Sequence, residues 1–203
     1  HFIPASDFRF SYEGRFDFSE PDGPVVIWEG SRIGLDFQGS ALALRFADIK
    51  DQVFFNVQLD TGAPQVIRVP PGKTARIEVA VPAGGGWHQL RLFKRTEASV
   101  GYATFCGAEI DPVESARAPA RKRYKLRMEF FGDSMMVGAC NEDGAIDQWE
   151  DRRTHNNALS YTTLTAGAFG ADYRCMAVSG MGIATGYVEV KAGEVWNRLY
   201  PLT

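Results

Sequence analysis

The sequence has few of the residues that form disulfide frameworks and metal sites. Of its 203 residues, three are cysteines and three are histidines. Cys106, Cys140 and Cys175 are far apart, with no Cys-x-x-Cys pair and no histidine at ligand spacing. This odd, scattered set argues against a disulfide framework and against a zinc site. We therefore expect no metal and no organic cofactor, and we expect the thiols to be buried or idle.

Long apolar runs and an excess of one charge are also missing. The 22 Lys and Arg residues nearly balance the 25 Asp and Glu residues, which leaves a formal net charge of -3. Such a balance gives no field for holding nucleic acid or an anionic membrane surface. No segment approaches the roughly 20 consecutive apolar residues that a membrane-spanning helix needs. We expect neither nucleic acid nor a membrane as a partner.

The period-two pattern of β-strands is present up to about residue 111. Six segments alternate in apolar character, namely residues 33–37, 42–46, 53–59, 65–69, 75–79 and 89–93. Turn signals separate them, including Asp60-Thr61-Gly62, Pro70-Pro71-Gly72 and the glycine-rich residues 83–86. Short alternating strands at this spacing predict an antiparallel β-sandwich, or jelly roll, over residues 1–111.

A different pattern follows residues 112–123, which are rich in proline, alanine and charge and predict a linker. Residues 126–131 are typical of a buried strand, 156–169 of a helix and 171–178 of a second strand. Strand, helix, strand predicts a βαβ unit, so residues 124–203 should form an α/β domain with a parallel sheet. Since two parallel strands with bare edges would not be stable alone, we expect this half to be part of a larger sheet.

The sharpest candidate for chemistry is Gly132-Asp133-Ser134, directly after the first of these strands. A serine there lies at the carboxyl edge of the sheet, where α/β folds place their ligands. Its hydroxyl can act as a nucleophile if a base takes its proton. Asp133 can accept hydrogen bonds from neighbouring backbone amides and hold the turn. A tight turn with a helix cap explains the same three residues, because all of them favour turns.

A second candidate, Ser179-Gly180-Met181-Gly182, ends the next strand and so lies at the same edge. Glycine lets a substrate approach the main chain closely, and the Gly180 N–H can serve as an oxyanion donor. A generic strand-to-loop turn explains this segment equally well. The functional interpretation therefore depends on the two turns occurring together, one helical crossover apart.

Together the two turns resemble the first two sequence blocks of the SGNH (GDS-type) hydrolases. The front half resembles the N-terminal sandwich of one subgroup in four places: Tyr12-Glu13-Gly14-Arg15-Phe16, Trp28-Glu29-Gly30-Ser31-Arg32-Ile33, Trp87-His88-Gln89-Leu90-Arg91-Leu92 and Lys94-Arg95-Thr96-Glu97-Ala98. That subgroup is carbohydrate esterase family 2, acetylxylan esterases and related deacetylases with a jelly roll ahead of an SGNH domain. The resemblance implies a flavodoxin-like, three-layer α/β domain, of which this chain has the first βαβ part.

The resemblance also implies a mechanism. Ser134 would attack an acetyl ester on a plant-type polysaccharide or oligosaccharide, with Asp133 supporting the nucleophile turn. The N–H groups of Ser134 and Gly180 would hold the oxyanion. Because acetylated plant polysaccharides lie outside the cell, we expect a secreted protein.

Two later blocks of the family do not occur in this sequence. One is a Gly-x-Asn-Asp block that supplies a further oxyanion donor, and the other carries the base histidine, often as Asp-x-x-His. His88 lies in the predicted sandwich and His155 precedes the predicted helix, so neither matches the family's base. A cut enzyme, a truncated product and a degenerate, non-catalytic relative all stay open. The unfinished sheet favours a complementary polypeptide that completes the SGNH domain.

Two other functions stay open. The sandwich could be a non-catalytic carbohydrate-binding module, with Trp28, Trp87, Tyr12 or Phe16 stacking on sugar rings. These aromatics alternate with apolar strand positions, however, which favours core packing for most of them. Alternatively, an SGNH esterase or lipase could act on other acyl esters, although the lack of a long apolar stretch argues against lipid.

Overall fold

The computed structural model describes residues 1–83, 86–111 and 115–182, which form a β-sandwich with a short α/β segment packed against it. Some predicted features lie outside these residues: two glycines of the turn at 83–86, linker residues 112–114, and residues 183–203 of the predicted α/β domain. No helix within the described ranges has the length and apolar character to cross a membrane.

Two antiparallel sheets form the sandwich. The first contains β1 (Phe2–Pro4), β3 (Val25–Val26), β5 (Ala41–Asp51), β8 (Gly72–Val79) and β10 (Gly101–Asp111), in the order β1-β10-β5-β8, with β3 also paired to β10. The second contains β2 (Ser11–Glu13), β4 (Arg32–Gln38), β6 (Val53–Leu59), β7 (Gln65–Val69), β9 (Trp87–Lys94) and β11 (Ala116–Arg117). Its order is β11-β4-β9-β6-β7, with β2 paired to β4.

The sandwich core follows from the alternation in the sequence. On β9 every second residue points inward, and its Leu90 pairs with Leu35 of β4. Phe46 and Phe55 come from opposite sheets and stack with ring centroids 5.4 Å apart. Both are fully buried, as is Phe105. Aromatic side chains from the two inner faces therefore close the space between the sheets.

Most predicted strands are confirmed, and the clearest difference among those of the sandwich is in β5. β6 and β7 have the predicted bounds, whereas β5 runs on to Asp51. Its pairing with β10 shifts register there, and Asp48 and Asp51 take positive φ angles of 46° and 55°. Such irregularities break the alternation on which the prediction depended. In addition, β11 lies within the predicted linker, where Ala116 pairs with Phe37 of β4.

The α/β segment contains β12 (Arg127–Gly132), α1 (Ser134–Val137), α2 (Tyr161–Ala168) and β13 (Asp172–Ala177), and its two strands are parallel. The helix α2 begins five residues later than predicted. It ends as its sequence suggests: the Gly170 N–H donates to Gly167 and the Ala171 N–H to Ala166, a Schellman cap with Gly170 at a φ of 58°.

The prediction of a buried first strand is wrong. Burial alternates along β12, and Leu126 and Phe131 are 42% and 44% exposed. Only Met128 and Phe130 pack into the small core beneath α1 and α2. Arg127 and Glu129 interrupt the apolar residues of this segment with a period of two, which is typical of a strand that is covered on one face only.

β13, in contrast, is covered on both faces. Tyr173, Cys175 and Ala177 face the small core with α1 and α2. Met176, together with Val178 just beyond the strand, packs into a second cluster with Trp28, Ile27 and Ala98 of the sandwich. The sandwich therefore forms one of the two layers that enclose this strand.

Candidate active site

Ser134 is the first residue of α1 and lies directly beyond the end of β12. Asp133 is the N-cap, and its Oδ1 accepts the Met135 N–H at 3.1 Å. Gly138 closes α1 in the left-handed region, with its N–H on the Ser134 carbonyl at 3.1 Å. The expected role of Asp133 as a turn holder agrees with this geometry, and Ser134 itself is half-buried.

The short helix is held from the side by one main-chain carbonyl. The Met136 carbonyl accepts from Asn157 Nδ2 at 2.9 Å and from Ser160 Oγ at 2.7 Å. Asn157 in turn accepts from the Tyr173 hydroxyl at 3.0 Å through its Oδ1. Asn157 begins a 3-10 helix, Asn157–Leu159, and the extended Ser160 that follows is the N-cap of α2, which is why α2 starts only at Tyr161. The bonds to Met136 hold this turn against α1. They also fix α1, and thus the Ser134 backbone, against β13.

Gly180 follows the end of β13, and the strand register places it at the same edge as Ser134. Gly132 pairs with Ala177, and the Val178 N–H donates to the Gly132 carbonyl at 3.0 Å. The Met181 N–H donates to the Val178 carbonyl, which closes a turn with Gly180 at a φ of 80°. Within the part of the chain that the structure describes, neither the Ser134 nor the Gly180 N–H is donated to another residue.

Two buried carboxylates from the sandwich bind the backbone at this edge. Glu29 Oε1 accepts the Ala177 N–H at 2.9 Å, and Glu97 Oε2 accepts the Ser179 N–H at 2.6 Å. Lys94 is buried beside them, with Nζ 2.6 Å from the Thr96 carbonyl. Burial raises the pKa of Glu29 and lowers that of Lys94, because both charged forms lose solvation.

Arg95 connects the sandwich to the loop between α1 and α2. It is 1% exposed, donates to Asn56 Oδ1 at 2.6 Å and pairs with Glu142. It also donates to the Arg153 carbonyl at 2.6 Å, while its own carbonyl accepts the Asn157 N–H at 3.1 Å. The segment Lys94-Arg95-Thr96-Glu97, which carries the family resemblance, is thus buried between the sandwich and the candidate site.

Neither internal histidine contacts Ser134. The Nδ1 of His88 lies 2.8 Å from Asp60 Oδ2 within the sandwich. His155 is fully buried, with Nε2 3.5 Å from the Cys140 sulfur, and its ring packs against Trp149. Burial, and next the nearby Arg152 charge, lower the pKa of His155. The contacts of both rings are therefore with residues other than Ser134, which agrees with their poor match to the family's base.

One group of possible metal ligands was not apparent from the sequence. The ligand atoms of Cys140, Asp143 and Asp147 lie within 4.8 Å of one another. Asp143 accepts the Gln148 N–H at 2.8 Å and Asp147 accepts the Trp149 N–H at 3.0 Å. The two carboxylates thus order their own loop, and their spacing along the chain matches no metal motif.

The buried carboxylates Glu29 and Glu97 were also not identified as site residues. Charged side chains are rarely fully buried, so nothing in the residue types alone indicated that these two are. The only signal was that both lie within the segments that carry the family resemblance. Ser134, Asp133 and Gly180 were identified from their place after each strand, and the structure brings all three to one edge.

The architecture, an antiparallel sandwich packed on a parallel α/β segment, is shared with carbohydrate esterases. A solved family two carbohydrate esterase from Clostridium thermocellum, in complex with cellohexaose, is 30% identical and superposes with a TM-score of 0.78. The match covers 89% of this chain and 55% of that one. The model of the carbohydrate esterase 2 N-terminal family matches residues 12–119. The chain therefore belongs to carbohydrate esterase family 2.

Two curated relatives are similar over nearly the whole chain. Cellulase/esterase CelE of Acetivibrio thermocellus is 32% identical over 196 residues, covering 95% of this chain and 23% of that protein. The acetylxylan esterase / glucomannan deacetylase of Cellvibrio japonicus is 33% identical over 187 residues, covering 91% and 50% respectively. The chain thus spans no more than half the length of either relative.

Proposed function

We propose that this chain supplies the nucleophile and part of the oxyanion hole of a serine esterase that removes acetyl groups from plant-type polysaccharides or oligosaccharides. The observation that carries the proposal is the pairing of Ser134 with Gly180 at one edge of the parallel strands, each with an N–H directed to no described residue. The substrate class follows from the relatives, one of which is named an acetylxylan esterase / glucomannan deacetylase.

The reaction proceeds in two acyl transfers. The Ser134 oxygen attacks the acetyl carbonyl carbon while a base takes the hydroxyl proton, and the carbonyl oxygen becomes an oxyanion. The Ser134 and Gly180 N–H groups stabilise that charge. The intermediate expels the sugar oxygen, which takes the proton from the base and leaves an acetyl-serine. Water, deprotonated by the same base, then releases acetate and restores Ser134. This chemistry requires neither a metal nor an organic cofactor.

The base is a histidine contributed by polypeptide outside these 203 residues, which also completes the three-layer SGNH domain. The lengths of the relatives support this assignment, and so does the exposure of Leu126, just before β12, and of Phe131 within it. Such a complementary polypeptide would cover these side chains and continue the sheet. As the acetylated polysaccharides are extracellular, we propose that the protein is secreted.

A carbohydrate-binding role without catalysis is the second candidate, since a relative has been solved in complex with cellohexaose. The sandwich aromatics give it little support. Trp28 and Phe16 are 2% and 6% exposed, and the Arg117 guanidinium covers the Trp87 ring at 4.1 Å. Tyr12 contacts Phe16 and Phe18. Trp28 and Phe16 therefore offer no open face to a sugar, whereas Trp87 is 45% exposed and is the one of these four rings that solvent reaches most.

Acetate release from acetylxylan by the whole protein that contains this chain tests the proposal. Ser134→Ala should lower kcat by at least about 10³-fold, because no other group can form the acyl-enzyme. Ser40→Ala, at an exposed turn of the sandwich, is the matched control and should leave activity unchanged. Full activity in Ser134→Ala would refute the assignment. Faster hydrolysis of long-chain acyl esters than of acetylxylan would instead indicate a lipase-type substrate.

A further inference from the structure

The turn that contains Gly180 is held by the sandwich and not by the α/β segment alone. Its first bond, from the Met181 N–H to the Val178 carbonyl at 3.0 Å, lies within the turn. The second comes from Glu97, whose Oε2 accepts the Ser179 N–H at 2.6 Å. Glu97 lies in the connection between β9 and β10, so the bond joins residues 82 positions apart in the chain.

Glu97 is itself fixed in place. It is 2% exposed, and its other oxygen, Oε1, accepts from Ser99 Oγ at 2.9 Å. Neighbouring contacts hold the strand that leads to the turn, with Ala177 bound to Glu29 and Val178 packed into the cluster around Trp28. A carboxylate held on both oxygens is a stiff acceptor, because its side chain has no alternative rotamer that keeps both bonds.

The orientation of the Gly180 N–H depends on this bond. In a turn with a positive φ at its third residue, here 80°, the central peptide joins Ser179 to Gly180. The plane of that peptide sets the direction of the Gly180 N–H. Fixing the Ser179 N–H on one side and closing the turn at Met181 on the other leaves the central peptide little freedom to rotate.

We propose that Glu97 is a positioning residue for the oxyanion hole: the sandwich carboxylate aims the Gly180 N–H by holding the preceding peptide. This inference rests on the proposed function, since it takes Gly180 as an oxyanion donor. It assigns the sandwich a part in transition-state stabilisation, although Glu97 touches no reacting atom. Because an oxyanion hole works only when its donors are already in place, loosening this turn should impair the chemical step and not substrate binding.

Three substitutions in the whole protein test the proposal. Glu97→Ala removes the acceptor, and Glu97→Asp keeps the charge but withdraws it by one methylene from the Ser179 N–H. Both should lower kcat for acetyl ester hydrolysis by roughly 10- to 100-fold, a smaller loss than removing a donor outright. KM and the affinity for an unacetylated oligosaccharide should stay within about twofold. Glu97→Gln keeps a carbonyl oxygen at the same reach and should recover most of kcat.

Thermal unfolding of each variant separates positioning from folding. Glu78→Gln is the matched control, because Glu78 lies on β8 of the sandwich as an exposed partner of Arg76; this variant should behave like the unmodified protein. A folded Glu97→Asp variant with unchanged kcat would overturn the inference, whether or not its KM is raised. If Glu97→Ala does not fold, the contrast between Glu97→Asp and Glu97→Gln decides the matter. Full activity in Ser134→Ala would instead refute the proposed function, whatever Glu97 does.

Discussion

Asn157 donates from its side-chain Nδ2 to the main-chain carbonyl of Met136 over 2.9 Å. Through this bond a residue of the crossover fixes the helix that begins at Ser134. Asn157 is fully buried, so the amide has no competing water.

Replacing Asn157 with alanine should destabilise the protein by about 2–3 kcal/mol, because it leaves buried polar partners such as the Tyr173 hydroxyl short of a bond. Urea unfolding measures this free energy. The same variant should also lower kcat, since α1 loses a support. Leu164→Ala on the exposed side of α2 is the control, with an expected change within about 0.5 kcal/mol. Equal stability of the two variants would contradict the prediction.

Arg95 should be irreplaceable by lysine. Its guanidinium donates in separate directions, to Asn56 and to the Arg153 carbonyl, and pairs with Glu142, which a single ammonium cannot reproduce. We expect Arg95→Lys to lower the free energy of unfolding by about 3 kcal/mol.

Arg174→Lys provides the comparison, because Arg174 and its partner Glu129 are 39% and 45% exposed. Exposed pairs contribute little, so this change should stay below about 0.5 kcal/mol. Similar losses of unfolding free energy in Arg95→Lys and Arg174→Lys, measured by chemical denaturation, would show that the buried network contributes no more than an exposed ion pair.

Stability should fall as the pH drops below about 6.5, in part through His155. Burial lowers the pKa of His155 in the folded protein, and Arg152 adds to the shift. At pH values between the lowered pKa of His155 in the folded protein and its pKa in the unfolded chain, the unfolded chain binds more protons. Lowering the pH in this range therefore favours the unfolded state and reduces the free energy of unfolding. His155→Gln should reduce the difference in unfolding free energy between pH 7.5 and pH 5.5. Identical pH dependence in the variant and the unmodified protein would exclude His155 as a source.

Gly30 should not tolerate alanine. Its φ is 75°, and an added Cβ would clash with Tyr173 Cε1, within the contact between the sandwich and the α/β segment. Gly170 has a φ of 58°, and a Cβ added there would meet no atom within 4 Å, so it is the matched control for backbone strain. We expect Gly170→Ala to cost about 1 kcal/mol and Gly30→Ala about 1–3 kcal/mol more. Equal shifts in thermal midpoint would mean that Tyr173 simply moves aside.

The local features of this fold were predictable and the long-range ones were not. β6, β7 and the cap at Gly170 follow from alternation and from glycine's conformational freedom, which are local properties. The start of α2 at Tyr161 also has a local signal, since Ser160 is its N-cap and accepts the Thr162 N–H. The bonds of Asn157 to Met136 and Arg95 are long-range and have no such signal. β11 likewise forms only because its two residues pair with β4.

The candidate site divides in the same way. Ser134 and Gly180 were predictable because each ends a parallel strand, and topology brings such ends together. Glu29, Lys94 and Glu97 were identified only as part of a family motif. Their burial is a property of the assembled halves, since it requires β13 to lie against the sandwich. The base has no counterpart among the described residues and stays a prediction from the family.

The exposed residues Arg121, Lys122 and Arg123 lie between the two halves of the molecule. The halves are joined independently of this segment, through the carboxylates on the β13 backbone, the Arg95 network and the packing around Trp28. Trypsin-like cleavage after Arg123 would therefore yield two polypeptides that stay together in native solution and separate only in denaturant. The intact peptide at residues 121–123 therefore matters while the two halves fold together, whereas the buried contacts hold them together afterwards.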